Sequence, residues 1–386
     1  MLQISSFNVR GIRKTRSVTG LNSADFHRWM RRQTKGIVCL QELQFDPLTS
    51  IDPKTTHWLE TALGATSAIW TPFCAILLKD NSLSFTNQSI SPDKRAIFAT
   101  ITSTATNSTF DTTCIYAPAN PQDRSTFLNN LLLLPFFVSP PPFFALAGDL
   151  NFRHHTRNRH PLFQEWLRQN AVDALLDGQQ ELPTFTSSAG RHRSTIDYIF
   201  LSPTLANHTS HKRLLYSCGF SDHDLLSIDL RPPGGTPRGK GVWQCNKFHI
   251  RQPEFSPILE HALDHLFARP FRGTDAEAWE RVKKRVKSVC ISYSNAAKHR
   301  EDNALDLLHH RRQDWILQEA SVLGTEDPNI PTIQAAIRLI EQEQDQLTGE
   351  HLEQLAFRSG LQWIEKAPST FTESLSNDTK NAPSRP

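Results

Sequence analysis

The first part of the chain alternates short apolar runs of strand character with amphipathic helical stretches. Runs rich in β-branched and aromatic residues predict strands at 3–9, 36–41, 73–79, 96–102, 111–117, 143–149, 195–201 and 225–230. Helical patterns lie near 23–35, 122–134 and 161–170, and the last begins on a proline, which favours a first helical turn. Many strands with few intervening helices predict an α/β fold in which two sheets pack together with helices outside them.

The pattern changes at RPPGGTPRGKG (231–241), which has the proline, glycine and basic composition of a linker. Apolar residues then recur at helical spacing, and the last part of the chain is polar and rich in Pro, Ser and Asn, which is typical of disorder. We therefore predict an α/β domain at 1–231, a linker at 232–241, a helical connector at 242–366 and a disordered tail at 367–386.

Composition agrees with two folded regions and excludes some classes of protein. The chain has 386 residues, of which 38% are hydrophobic and 21% charged, so it can build a core. Its most apolar segment, 131–148, contains four prolines and is not a membrane span. The N-terminus has no signal-peptide pattern, and the six cysteines have neither CxxC nor zinc-finger spacing. These features predict a soluble intracellular protein with reduced thiols.

Basic residues are concentrated in a few places, although the net charge is only +3. Eight Lys or Arg residues and one acid lie between Arg10 and Lys35, and more basic groups lie at 152–160, 191–193 and 211–213. Any one group is typical of a solvated loop, but together they favour a polyanionic ligand. The candidate nucleic-acid contacts are Arg10, Arg153, Arg157, Arg191 and Arg193.

Four motifs place acids, an amide or a histidine beside predicted strands: LQEL at 40–43, GDLN at 148–151, STIDYIF at 194–200 and SDHDLL at 221–226. Side chains at strand ends can converge on one rim although they are distant in sequence. Each motif is common by itself, so the prediction depends on the whole set. The residues whose side chains are suited to holding a hard divalent cation and cleaving a phosphate ester are Glu42, Asp149, Asn151, Asp197, Asp222 and His223.

Residue spacing suggests a role for the GDLN motif. Asp149 and Asn151 are two positions apart, so on an extended backbone both side chains face the same side. The carboxylate can then orient or deprotonate a water while the amide donates to a phosphate oxygen. The alternative is an ordinary Asx turn after a glycine.

The remaining candidates have more than one possible role. We expect Asp197 to orient His223, which can act as an imidazolium beside the phosphate or as a base. Asp222 can complete a metal shell or hold a catalytic water. Tyr116 offers a phenol to the phosphate, and the alternative is a half-buried core tyrosine.

In identity, order and spacing, these motifs together resemble the endonuclease/exonuclease/phosphatase superfamily over residues 1–231. The resemblance implies a DNase I-like fold, a four-layer α/β sandwich, with an α-helical region following it here. It also implies a Mg²⁺ (or Mn²⁺) dependent phosphodiesterase or phosphomonoesterase site. By resemblance Asn8, Glu42 and Asp222 belong to the metal site, and Tyr116, Asp149, Asn151, Asp197 and His223 to the catalytic set.

Within that superfamily, the stretches 116–127 and 183–200 are similar to endonuclease domains of LINE-type non-LTR retrotransposons. The segment 239–255 resembles the passage from nuclease to reverse transcriptase, and 359–374 resembles the connector before the polymerase. Thr195 stands where many relatives have arginine. The chain contains no Asp-Asp dipeptide, so the paired metal-binding acids of a polymerase are missing. This resemblance implies a DNA nicking enzyme in the nucleus, with element RNA as a possible partner.

Two other functions remain open at this point. An apurinic-site repair nuclease or a phosphatase would have the same fold, but the basic loops and the retrotransposon-like linker favour DNA nicking by an element-derived enzyme. The non-enzymatic alternative is an inactive copy of such an enzyme that only binds nucleic acid. The complete set of candidate acids argues against this alternative. Target sequence and oligomeric state are not predicted.

Overall fold

A computed structural model of the chain describes residues 2–13, 23–104, 107–156, 159–175, 182–187, 192–231, 250, 252–268, 273–322 and 329–366. Side chains of 320, 322 and 354–366 are not included in that description. The predicted linker (232–241) and tail (367–386) lie outside the described residues, as do Arg157 and Arg191.

One six-stranded sheet carries the chain's first strand near its centre. Its order is β13-β14-β1-β2-β4-β3, and within it only β1 and β2 are parallel neighbours. The strands are β1 (Leu2–Asn8), β2 (Ile37–Gln41), β3 (Ser67–Trp70), β4 (Cys74–Leu78), β13 (Thr209–Leu215) and β14 (Leu225–Leu230).

A second six-stranded sheet has the order β5-β6-β7-β8-β12-β9, with β7 and β8 parallel. Its strands are β5 (Leu83–Ile90), β6 (Ala96–Ser103), β7 (Ser108–Tyr116), β8 (Phe144–Asp149), β9 (Val172–Asp173) and β12 (Asp197–Leu201). A short hairpin joins β10 (Phe185–Thr186) to β11 (Arg193–Ser194).

Helices cover the outer faces of the two sheets. They are α1 (Ser23–Gln33), α2 (Pro53–Leu63), α3 (Pro121–Leu131), α4 (Pro135–Val138) and α5 (Pro161–Asn170), whereas Leu205 of α6 (Pro203–Ala206) belongs to the core cluster between the sheets. Trp29 of α1 packs on Phe7 of the first sheet, while Phe127 of α3 and Phe163 of α5 belong to the core on the outer face of the second sheet. This arrangement confirms the predicted four-layer α/β sandwich of DNase I-like type.

The central core lies between the two sheets, because alternate residues of each strand face inward. Ile4 and Ile37 from the first sheet and Ile97 and Ile199 from the second are fully buried in one cluster. Apolar burial of this kind is the main contribution to the stability of the domain. It also holds the ends of β1, β2, β8 and β12 in a constant relation to one another.

The close approach of β7 and β8 requires a glycine. A Cβ atom built on Gly148 would lie 2.0 Å from the backbone oxygen of Ile115, closer than any side chain permits. With glycine there, Tyr116 pairs in parallel register with Asp149. The glycine of the GDLN motif therefore brings two candidate site residues together.

The C-terminal region consists of α7 (Phe255–Phe267), α8 (Asp275–Val322) and α9 (Ile330–Lys366). The chain divides into two compact units: Met1–Arg238 with His309–Asp345, and Gly239–Leu308 with Gln346–Pro386. The predicted helical region is thus confirmed, whereas the division at 232–241 stays a prediction, since 309–345 lies in the first unit. In the second unit, Phe255 and Ala262 of α7 pack against Val289 and Cys290 of α8.

Within the first unit, residues 309–345 contact the α/β part through buried charges. Arg312 donates to Asp224 at 2.9 Å and to Glu341 at 2.8 Å, and only 5% of its side chain is exposed. Its guanidinium also lies 4.8 Å from the centre of the Tyr216 ring. Residues 309–345 therefore supply a cation to a carboxylate directly after His223 in sequence.

All eight predicted strands and all three predicted N-terminal helices are present with bounds shifted by a few residues. The prediction omitted β3, β5, β9, β10, β11, β13 and the helices α2, α4 and α6. For α2 a local signal was available, because Asp52 caps the helix by accepting from the Lys54 amide and Pro53 occupies its first turn. No helix among the described residues is both long and apolar enough to cross a membrane.

Candidate functional site

Ends of five strands meet at one edge of the sandwich. Asn8 ends β1 and pairs with Gln41, directly before Glu42. In the other sheet Asp197 pairs with Asp149 in antiparallel register. Five residues that the sequence assigns to one site are thereby brought together: Asn8, Glu42, Asp149, Asp197 and His223.

Asn8 connects two of the acids. Its side-chain nitrogen donates to Asp149 Oδ2 at 2.9 Å and lies 3.1 Å from Glu42 Oε2. Its side-chain oxygen accepts from the amide of Arg10 at 2.9 Å, so the orientation of the carboxamide is determined. The bridge joins the end of β8 to the residue that follows β2, across the two sheets.

Asn151 reaches Asp149 by a turn and not along an extended strand, so this part of the prediction is wrong. Asn151 has a left-handed backbone (φ 56°), and its amide donates to Asp149 Oδ1 at 2.7 Å, as in the alternative Asx turn. Its side-chain nitrogen lies 3.3 Å from Asp149 Oδ2 and donates to the oxygen of Ala117 at 2.8 Å. The turn nevertheless holds the amide and the carboxylate side by side.

Asp197 and His223 form a buried pair. Nδ1 of His223 lies 2.8 Å from Asp197 Oδ2, and 6% of the histidine side chain and 1% of the aspartate side chain are exposed. The hydroxyl of Thr184 donates to the same carboxylate oxygen at 2.7 Å. Such a partner determines which ring nitrogen of the histidine faces the carboxylate and leaves Nε2 for other contacts.

A short segment holds His223 from the other side. Thr184 accepts with its carbonyl from the Asp224 amide at 2.7 Å, and Thr186 donates with its amide to the Asp222 oxygen at 2.9 Å. Phe185 pairs with His223 in an isolated bridge, with ring centres 5.0 Å apart. Residues 184–186 are thus the support for the SDH motif.

The electrostatics of the site follow from burial and from close carboxylates. Burial raises the pKa of Asp149 to about 7, and the negative charge of Asp197 adds to the rise. For His223, burial opposes protonation, but the charge and hydrogen bond of Asp197 outweigh it and raise the pKa to about 9. At neutral pH the imidazole is therefore protonated, while Asp149 is near its midpoint.

Tyr116 lies at the same edge with its ring between other side chains. The guanidinium of Arg95 is 5.2 Å from the centre of the Tyr116 ring and 4.1 Å from that of Phe73. Burial, with the charges of Glu42 and Asp149, raises the pKa of the Tyr116 phenol. The phenol is thus a neutral hydrogen-bonding group beside the acids.

Asp222 faces both Arg10 and His223. Its Oδ2 lies 2.9 Å from Arg10 Nη1, and its Oδ1 lies 3.9 Å from His223 Nε2. Among the described residues, buried Oδ1 atoms of Asp222 and Asp197 have no hydrogen-bond partner. Buried carboxylate oxygens of this kind are suited to a ligand that brings positive charge or donors.

The donor set fits a divalent metal ion. The side chains of Asp149, Asp197 and His223 each place one possible ligand atom within 4.8 Å of the others, and Asn8 joins Asp149 to the carboxylate of Glu42. The imidazole does not coordinate a cation while it is protonated, so the carboxylates are the donors. These donors are oxygens, which hard divalent cations prefer.

The predicted nucleic-acid contacts do not all have the same surroundings. Arg10 has half of its side chain exposed (53%), and Arg153 donates to Ser194 Oγ at 3.3 Å and to the Arg193 oxygen at 3.0 Å. Arg193 is instead largely enclosed, with 11% of its side chain exposed, and is paired with Glu319, so its guanidinium is not presented to an external polyanion. Its assignment from sequence is corrected for this reason, since the partner comes from the distant helix α8.

Two residues of the site had no role in the prediction from sequence, namely Thr184 and Arg95. Thr184 lies in the PTF stretch, whose similarity to known endonucleases was a usable signal. Arg95 precedes β6 and has no motif around it, so only the fold reveals its contact with Tyr116.

Comparison with known proteins agrees with this architecture. The sequence matches the model described as Endonuclease/Exonuclease/phosphatase family over residues 5–223, more than half of the chain. Among curated proteins, none matches.

Solved structures with a similar fold include three nucleases or phosphatases. The 3′ phosphatase NExo from Neisseria, bound to a product DNA hairpin, is 16% identical over 60% of this chain and 100% of its own, with a TM-score of 0.44. The AP endonuclease LMAP from Leishmania major has 16% identity, 60% and 88% coverage and a TM-score of 0.44. The endonuclease domain of TRAS1, a telomere-specific non-LTR retrotransposon, has 16% identity, 60% and 98% coverage and a TM-score of 0.41. These are similarities of fold alone.

Proposed function

Because this chain belongs to the endonuclease/exonuclease/phosphatase family, we propose that it is a metal-dependent DNA endonuclease that nicks its target by phosphodiester hydrolysis. The observation that carries the proposal is the buried Asp197–His223 pair beside Asp149, which Asn8 links to Glu42. Hydrolysis of a phosphodiester passes through a transition state that gains negative charge. It is favoured by a cation and a base on one side of the phosphate and an imidazolium on the other.

In this proposal Asp149 activates the water. Its carboxylate takes one proton from a water whose oxygen forms a bond to phosphorus. The bond from phosphorus to the 3′ oxygen breaks, and that oxygen takes a proton from solvent, leaving a 3′-hydroxyl and a 5′-phosphate. A base with a pKa of about 7 is effective near neutral pH, because it is partly ionised and still holds a proton well.

His223, Asn151 and Tyr116 act on the phosphate oxygens. The hydrogen bond that His223 donates to Asp197 keeps the imidazole protonated, so the imidazolium neutralises charge on the phosphate and does not serve as the base. The Asn151 amide is held beside Asp149 and donates to a phosphate oxygen near the attacking water. Tyr116, which burial keeps neutral, donates its phenolic hydrogen.

A divalent ion, Mg²⁺ or Mn²⁺, would be held by Glu42, with Asn8 and Asp222 beside it, and would supply a Lewis acid for the phosphate oxygens. Arg10 and Arg153 are the described basic residues that we assign to the DNA backbone. Phosphate contacts of this kind position the duplex and are independent of sequence.

We further propose that residues 1–231 are the nuclease of a LINE-type retrotransposon polyprotein. Sequence similarity at 116–127, 183–200 and 239–255 supports this origin. Such a protein would act on nuclear DNA, with element RNA as a second partner. The 386 residues contain no pair of adjacent aspartates, so the activity proposed for them is nicking and not copying.

Nicking of supercoiled plasmid by the full chain tests the proposal. Incubation with Mg²⁺ should give open-circular DNA, and chelation should abolish it. The variant His223→Ala should nick more slowly by orders of magnitude while binding DNA as tightly as the parent, since the imidazolium acts on the transition state. The matched control is His208→Ala, because His208 precedes β13 at the opposite end of the same sheet.

The outcomes separate three functions. Nicking by His223→Ala at the parental rate would refute the mechanism. A parent that binds plasmid but leaves it supercoiled at every metal concentration would support a nucleic-acid-binding remnant. Cleavage only at apurinic sites, or release of phosphate from DNA ends without nicking, would support a repair nuclease or a phosphatase.

A further inference from the structure

A second group of metal-ligating side chains lies outside the site described above. It consists of His154 and His155, which follow β8 in the chain, and Asp173 of the edge strand β9. The three side chains each offer one ligand atom, and these atoms lie within 4.8 Å of one another. Nε2 of His154 is 3.3 Å from Asp173 Oδ2, and the two imidazole centres are 3.5 Å apart.

The surroundings hold His154 in place. Its backbone amide donates to the Tyr198 hydroxyl at 3.2 Å, and its carbonyl accepts from Gln164. Its ring meets Tyr198 and Phe200 edge to face, with ring centres 4.7 and 5.1 Å away. Only 13% of the His154 side chain is exposed. The imidazole is therefore already oriented by aromatic walls and by its backbone contacts.

Asp173 is oriented in a similar way. Its residue pairs with Phe200 at the sheet edge, and its Oδ1 accepts from the Leu175 amide at 3.0 Å. The other oxygen, Oδ2, is the one near His154. Because a backbone amide holds one oxygen of Asp173, its other oxygen has a determined direction, as a metal ligand requires.

The donor chemistry differs from that of the catalytic cluster. Two imidazoles and one carboxylate are the donors of three-ligand zinc sites, whereas Mg²⁺ prefers an oxygen shell. Bonds of about 2.0–2.1 Å in a tetrahedral shell place donor atoms roughly 3.3 Å apart. The separation of His154 and Asp173 already has this value, whereas the exposed ring of His155 has to turn away from that of His154, because the two ring centres are now only 3.5 Å apart.

We propose that His154, His155 and Asp173 bind one zinc-type transition-metal ion, with the fourth position open to water. The ion connects the loop that follows Asp149 and Asn151 to the edge strand β9. Arg153, which we assign to the DNA backbone, directly precedes the first ligand. The bound ion thus anchors the loop that carries this arginine, and it does so whether or not the chain cleaves DNA.

The test uses the full chain, freed of metal and kept in excess Mg²⁺ so that the oxygen-rich cluster is saturated. Zn²⁺ is titrated by calorimetry, with thermal unfolding as a second measurement, for the parent, His155→Ala, Asp173→Asn and His57→Ala. His57 is an exposed residue of α2 and serves as the matched control. The parent and His57→Ala should bind Zn²⁺ and melt at a higher temperature with it. The other two variants should bind at least tenfold more weakly.

His155 is exposed, so its replacement should leave the metal-free melting temperature unchanged and the comparison valid. Co²⁺ in place of Zn²⁺ should give the weak visible bands of nitrogen and oxygen ligands. Equal affinity in all four proteins, no saturable Zn²⁺ binding by the parent, or a Co²⁺ spectrum dominated by thiolate absorption would each overturn the proposal. In those cases the contacts of His154 and Asp173 would be an ordinary hydrogen-bonded pair.

Discussion

The substitution Arg312→Met tests how residues 309–345 are joined to the α/β part of the first unit. Methionine keeps most of the apolar stem but removes the guanidinium. Asp224 and Glu341 then lose a partner at 2.9 and 2.8 Å, respectively. Asp224 is 8% exposed, so water cannot fully replace the cation. Burial raises the pKa of Asp224 while Arg312 opposes that rise, so the variant makes the buried carboxylate still less favourable.

The expected loss is large for a single substitution. Removing one partner of a buried ion pair typically costs about 3–5 kcal/mol, whereas an exposed pair contributes roughly 0–1 kcal/mol. The matched control is Arg213→Met, because Arg213 pairs with Asp229 at 3.6 Å and has 43% of its side chain exposed. The contrast between the two arginines depends on burial, since both have a carboxylate partner.

Urea unfolding of the full chain at neutral pH measures the loss in free energy of unfolding for both arginine variants. The transition to follow is the unfolding of the first unit. A loss of less than about 1 kcal/mol for Arg312→Met would refute the reasoning, since it would equal that of a surface pair. The triple variant that adds Asp224→Asn and Glu341→Gln should recover part of the stability, because it leaves no buried charge unpaired. If it recovers none, the loss comes from packing and not from charge.

The other predictions concern the site, the charge of a half-buried lysine and the domain boundary. Thr184→Val should lower the turnover of nicking about tenfold and leave DNA affinity unchanged, because Asp197 loses a hydrogen-bond donor at 2.7 Å; Thr184→Ser should keep the parental turnover. Equal turnover in the parent and both variants would exclude a positioning role for Thr184. Arg153→Ala should weaken DNA binding and reduce the slope of log affinity against log salt by about 1, which binding titrations at several salt concentrations measure. Burial, with the charge of Arg31, lowers the pKa of Lys79 to about 7 from 10.5. Between these two pH values the unfolded chain binds more protons than the folded chain, so the free energy of unfolding should rise with pH. Lys79→Met should lose this rise when urea unfolding is measured at pH 7 and 10. The fragment 1–231 should fold and nick but melt at a lower temperature than the full chain, since it lacks the partner of Asp224; equal melting temperatures would contradict that contribution.

Local sequence pattern determined most of the strands and the chemical type of the site. Runs such as 36–41 and 143–149 are apolar because both of their faces are buried, so period and composition are sufficient to identify them. The acid at the end of each run is equally local, because it stands directly beside the apolar residues in the sequence. From these features the sequence by itself predicted which carboxylates, amide and histidine would form a site.

Contacts between residues distant in sequence were decided only by the tertiary structure. The pairing of Arg193 with Glu319 and of Arg312 with Asp224 joins positions that no periodicity relates, and burial converts what looks like a surface charge into an internal one. The Asn151 turn depended on a left-handed backbone angle that an extended pattern does not reveal. The pattern of apolar and polar residues indicates only which residues face the core. The partner of a buried charge depends on how the complete chain packs.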